Sequence, residues 1–70
     1  MDKKNFNVWL NDEVVNVVIE YLVTDVISGD VAIERAKGMA CRDSDLPYSR
    51  RDRFTVVRVE ETDCDSLMVV

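Results

Sequence analysis

The chain has no histidine, two glycines, one proline and two cysteines among its 70 residues. Without histidine, the commonest general base and metal ligand is missing. Gly29 and Gly38 stand too far apart to form a phosphate-cradling loop. Cys41 and Cys64 are too few for a secreted disulfide framework, and their spacing fits no zinc motif. Two reduced thiols in a cytoplasmic protein is the simpler expectation; a bridge between a helix end and a turn is the alternative. Long apolar runs are absent too, because Glu20 and Asp25 interrupt the best candidate for a membrane span. The start, MDKKNFNVWLND, lacks the apolar stretch of a signal peptide.

What is present describes an ordinary globular chain. Apolar residues make up 47% and charged residues 33%, a balance that supports a packed core rather than disorder. Residues 1–70 read as one domain, and a chain of this size buries only about 60% of its unfolded surface. Self-association to a homodimer is one way to supplement such a core. The net charge of −5 argues against binding to nucleic acid or to an anionic membrane surface. It suits a cytoplasmic protein or one with a basic partner.

The organising stretch runs from Val17 to Ala40. Val15, Val17, Ile19, Tyr21 and Val23 alternate with Asn16, Val18, Glu20, Leu22 and Thr24, which is strand order in a β-branched segment. A helix over residues 13–27 is the competing reading, but Val14, Val15, Val17, Val18, Ile19 and Val23 all lose χ1 freedom in a helix. Ser28 can cap a helix over residues 28–40, and Asp30 suits its positive end. Ala32, Ile33, Ala36, Met39 and Ala40 share its apolar face. Gly38 costs roughly 1 kcal/mol relative to alanine within a helix, so fraying is expected from there.

Upstream, residues 1–4 are expected to fray. Asn5 to Leu10 alternates Phe6, Val8 and Leu10 against Asn5, Asn7 and Trp9. A polar turn at Asn11-Asp12-Glu13 then predicts an antiparallel hairpin. Trp9, on the polar face, either packs under a loop or anchors a partner. Downstream, Cys41 to Arg53 reads as a long polar loop. Its Arg50, Arg51 and Arg53 either pair with Asp43 and Asp45 or fork an acidic ligand. In the following strand Phe54, Val56, Arg58 and Glu60 should face one way, and Thr55, Val57 and Val59 the other. Residues 66–70 could return as a short edge strand. Glu60, Glu61, Asp63 and Asp65 concentrate acid at this end, either as a solvated turn or as a patch for a basic partner.

The order strand, strand, S-x-x-x-A-I-E-R-A helix, loop and F-T-V-V-R-V-E-E strand resembles small phage-encoded proteins that bind and inhibit a host enzyme. The nearest are the phage T7-type inhibitors of bacterial RNA polymerase. Ser28, Ala32, Ala36, Phe54, Val56, Arg58 and Val59 carry the likeness, over residues 17–60. The resemblance implies that Arg58 contacts the partner. Glu60 stands where the family has a second arginine. The implication carried over is therefore the general one, of a compact adaptor whose sheet edge or loop docks on a larger protein.

Together these readings predict an α+β fold, an antiparallel sheet with one helix on one face, in the order ββαβ with a short additional strand. The expected function is a non-catalytic protein-binding module, a small phage inhibitor of host transcription or defence machinery. No cofactor or metal is implied. Arg50, Arg51, Arg53, Arg58, Glu60 and Trp9 are the expected contacts. An acidic nucleic-acid mimic and a homodimeric structural module are the alternatives.

Overall fold

The computed structural model describes residues 3–62. Strand β1 (Lys4–Asp12) and strand β2 (Val17–Val26) form the expected antiparallel hairpin. Helix α1 (Gly29–Asp43) follows, then a short 3-10 helix (Tyr48–Arg53) and strand β3 (Phe54–Thr62). The sheet order is β2-β1-β3, with β1 antiparallel to both neighbours. The α+β class thus stands, and residues 17–26 are strand rather than helix. The additional strand expected at 66–70, Cys64, and the acids Asp63 and Asp65 lie outside the described residues.

One face of the sheet carries the core. Phe6, Val8 and Leu10 of β1 meet Val23 and Val26 of β2, Phe54 of β3, and Ala32, Ala36, Ala40 and Cys41 of α1. The three alanines recur every fourth residue, so they form one stripe along the helix. All three are fully buried. Their small side chains let the helix lie close on the sheet. Cys41 is a buried thiol beside this stripe.

Two bulges overturn the simple alternation. Asn5 of β1 lies opposite both Thr24 and Asp25 of β2, and Asp25 takes a left-handed backbone at φ 63°. The Asn5 side-chain oxygen accepts the freed Asp25 backbone N–H at 3.0 Å. An extra residue inverts the side-chain parity, so Val26 rather than Asp25 follows Val23 into the core. Val57 is the extra residue of β3, where the register shifts between Trp9 and Leu10. The expected grouping of Phe54, Val56, Arg58 and Glu60 on one face is therefore corrected. Phe54 and Val56 share the core face with Val59, whereas Arg58 and Glu60 pair opposite Trp9 and Asn7 on the other.

The helix runs past Gly38 instead of fraying there. Ser28 caps its start, accepting the Val31 N–H at 3.4 Å. Its end closes with Asp45 in the left-handed region (φ 57°). Leu46 N–H donates to the Cys41 carbonyl, and Asp45 N–H to the Arg42 carbonyl. This pair of bonds satisfies the last turn, and Leu46 packs on the core as the motif's apolar contact. Gly38 serves packing: a Cβ there would stand 3.3 Å from the Tyr48 ring. Tyr48 also donates to Glu34 at 3.4 Å. The long loop expected at Cys41–Arg53 thus shrinks to four residues, 44–47, between two helices.

Truncating the fully buried Leu10 to alanine should cost roughly 2–5 kcal/mol in urea unfolding. Ala36→Leu should cost about 1–3 kcal/mol, because the added bulk lifts the helix from the sheet. An Ala36→Leu variant as stable as wild type would show that the close approach is not required.

Candidate protein-docking surface

Asp12 organises the end of the molecule where the strands turn. It is the last core-facing residue of β1 and is only 4% exposed. A carboxylate so buried needs partners. Oδ1 accepts the Arg53 Nε–H at 2.7 Å and the Val14 backbone N–H at 3.0 Å. Oδ2 accepts from Arg53 Nη2 at 2.9 Å. This two-pronged guanidinium pair joins the hairpin to the start of β3. The Glu13 N–H donates to the Arg53 carbonyl at 2.9 Å, tying the same points through the backbone. The Arg53 hydrogen bonds hold the Asp12 carboxyl below its usual value. Burial opposes them, and the Val14 N–H assists.

Beyond Asp12 the chain turns through residues 13–16. Asn16 adopts the left-handed region at φ 58° and donates its N–H to the Asp12 carbonyl at 2.6 Å. The turn thus sits two residues later than the expected Asn11-Asp12-Glu13. That shift puts Val15 in the turn, while Val17 keeps the core face opposite Asp12 but lies past the end of the core and is exposed. Val14 is 70% exposed, and Val15, Val17 and Val18 are each more than half exposed. Four solvent-facing valines around one asparagine form an apolar hairpin tip. The signal was in the sequence: E-V-V-N-V-V places a residue that tolerates the left-handed region in the middle of a valine run.

Arg50 and Arg53 border this tip. With Val14, Leu46 and Pro47 they line a hollow of about 400 Å³. Of the residues expected to contact a partner, Arg53 is committed to Asp12. Arg51 stacks on the Tyr48 ring, 4.7 Å from its centroid, and donates to the Tyr48 carbonyl. Arg50 is exposed at the rim of the hollow. None of the three pairs with Asp43 or Asp45.

The remaining expected contacts share the sheet face away from α1, which no described residue covers. Trp9 is half-buried there, under no loop among the described residues, with the Arg58 guanidinium 5.3 Å from its ring centroid. Arg58 also pairs with Glu60. Around them stand Asn7, Asn11, Glu20 and Leu22. Val18 pairs with Asn11 on this face, which makes it continuous with the hairpin tip. Sequence expectation thus separates into two neighbouring groups: Trp9, Arg58 and Glu60 on the open face, and Arg50 with the valines at its end.

Among the described residues, no three His, Cys, Asp or Glu side chains are grouped to hold a metal ion. No helix there is long and apolar enough to cross a membrane.

Two titrations test these contacts. The stability contributed by ionised Asp12 is present above its ordinary value of 3.8 and is lost as pH falls through the lower folded value. Asp12→Asn should be less stable than wild type at neutral pH, with the difference shrinking below about pH 4. Tyr21 donates to Asp43 Oδ2 at 3.0 Å; burial, then this bond, pushes its hydroxyl up to about 12 from 10. Its contribution is full below pH 10 and fades toward 12, so the gap between wild type and Tyr21→Phe should close over that interval in denaturant titrations. No family model, curated protein or solved structure matches this chain.

Proposed function

We propose that the protein is a non-catalytic binding module that docks on a larger protein and inhibits it by occupying its surface. The observation that carries this reading is the valine tip held in place by Asp12 and Arg53. Apolar side chains at the end of a clamped hairpin are already ordered, so covering them incurs little additional conformational cost. Burying a valine side chain fully is worth about 1.5 kcal/mol or more, so a few of them make a contact of useful strength. Trp9 supplies an aromatic anchor next to the tip, and Arg50 a cation at its rim.

Charge favours a protein over a nucleic acid as the partner. Among the described residues the open face carries one cation, Arg58, against Glu20 and Glu60, and Arg58 is already paired with Glu60. A phosphate backbone requires a stripe of available cations. A host protein in the cytoplasm, acted on by a phage factor, is the setting that the resemblance of residues 17–60 suggests.

Affinity capture from bacterial lysate should compare wild type with Val14→Asp/Val17→Asp and with Trp9→Ala. A single protein that resists high salt, lost with the double aspartate variant and weakened with Trp9→Ala, is the expected outcome. Equal capture by all three would refute the surface. A stable dimer of the purified chain that the aspartate pair dissolves would instead assign the valines to self-association.

A further inference from the structure

The opposite flank of the molecule holds a second feature that the docking surface does not use. Strand β2 is an edge strand, with β1 as its neighbour on one side and no strand on the other among the described residues. An unpaired edge offers a row of backbone donors and acceptors. Helix α1 runs beside it. Arg35, Gly38, Met39 and Arg42 lie three or four residues apart and so share one flank of the helix. Together with Leu22, Val23 and Thr24 of β2 they line a groove of about 380 Å³.

The charge of this groove is opposite to that of the chain. The protein carries a net −5, yet the charged groups lining the groove are Arg35 and Arg42. Neither arginine has a carboxylate within ion-pair distance among the described residues. The nearby Asp43 carboxylate accepts the Tyr21 hydroxyl instead. The groove floor is apolar at Val23 and Met39. Gly38 lines the groove between the two arginines along the helix.

We infer that the groove between β2 and α1 binds an extended acidic peptide segment of a partner protein by strand addition to β2. Backbone groups of the peptide pair with the free edge. Its side chains on the open face rest against Leu22, and those on the helix face present carboxylates that fork onto Arg35 and Arg42. This division of labour is general to strand addition: the main chain supplies affinity, and pockets for alternate side chains supply specificity. The inference does not rest on the valine tip: Val14, Val15, Val17 and Val18 are not among the groove's lining residues, and only Leu22 is common to the groove and the open face.

A random nonapeptide display library panned on the full chain tests it. The expected result is enrichment of sequences alternating Asp or Glu with apolar residues. An enriched peptide, fluorescently labelled, should bind wild type in anisotropy titrations. It should lose about tenfold or more in affinity to Arg35→Glu/Arg42→Glu. Both arginines are exposed, so the variant should keep the wild-type circular dichroism, with at most a small drop in melting temperature from the charge reversal in the last turn of α1. Methylating alternate peptide nitrogens should abolish binding, because strand addition needs those donors. Absence of acidic enrichment, equal affinity for the charge-reversed variant, or indifference to N-methylation would each overturn the proposal. Loss of capture by the valine variants leaves this result untouched, so the two readings fail separately.

Discussion

The arrangement depends on one buried carboxylate. Asp12 ends β1 on the core face, where a charge is tolerated only because Arg53 and the Val14 N–H satisfy it. Those same bonds fix three things: where the hairpin turns, where β3 begins, and how the valine tip points out of the molecule. A leucine at this position could fill the same space but could hold neither the turn nor the arginine. The polar pair therefore specifies geometry where an apolar residue would supply only burial. The rest of the core is conventional, with alanines 32, 36 and 40 bringing one helix close to a three-stranded sheet.

A single helix covers a single face, and among the described residues nothing covers the other. Antiparallel sheets tolerate this when the open face is polar. Here it is mixed: asparagines 5, 7 and 11 alternate with the core residues of β1, and Trp9 sits among them under Arg58. The apolar surface left exposed is not spread evenly. Val14, Val15, Val17 and Val18 stand together at the hairpin tip, whereas Leu22, Ile27, Tyr48, Val56 and Val57 are exposed elsewhere, which is why a docking role is argued from the tip.

Much of this was readable from the chain itself. The alternation of Phe6, Val8 and Leu10, the Ser28 cap and the spacing of Ala32, Ala36 and Ala40 led directly to the observed elements, because each follows from a local periodicity or a single side-chain bond. The exchanged faces in the strands come from bulges. Asp25 and Val57 each add one residue to a strand, and one residue is enough to exchange its faces. Pattern alone does not mark such bulges. Likewise, Asp12 looked like a turn residue, because its partner Arg53 lies far along the chain and only the fold brings them together. Gly38 looked like a helix end, when the Tyr48 ring is what requires it. Of the expected contacts, Trp9, Arg58 and Glu60 do share a face, while Arg53 is consumed by the structure. The valine tip was hidden by the reading that put Val15 and Val17 on the apolar face of the strand.

Amide hydrogen exchange on Arg53→Met tests the central claim most directly. If the Asp12–Arg53 pair positions the hairpin tip, removing the guanidinium should cost Glu13, Val14 and Asn16 their protection together. The amides of helix α1 should keep theirs. Unchanged protection at the turn would contradict the account, since the valines would then be held by the strand ladder alone.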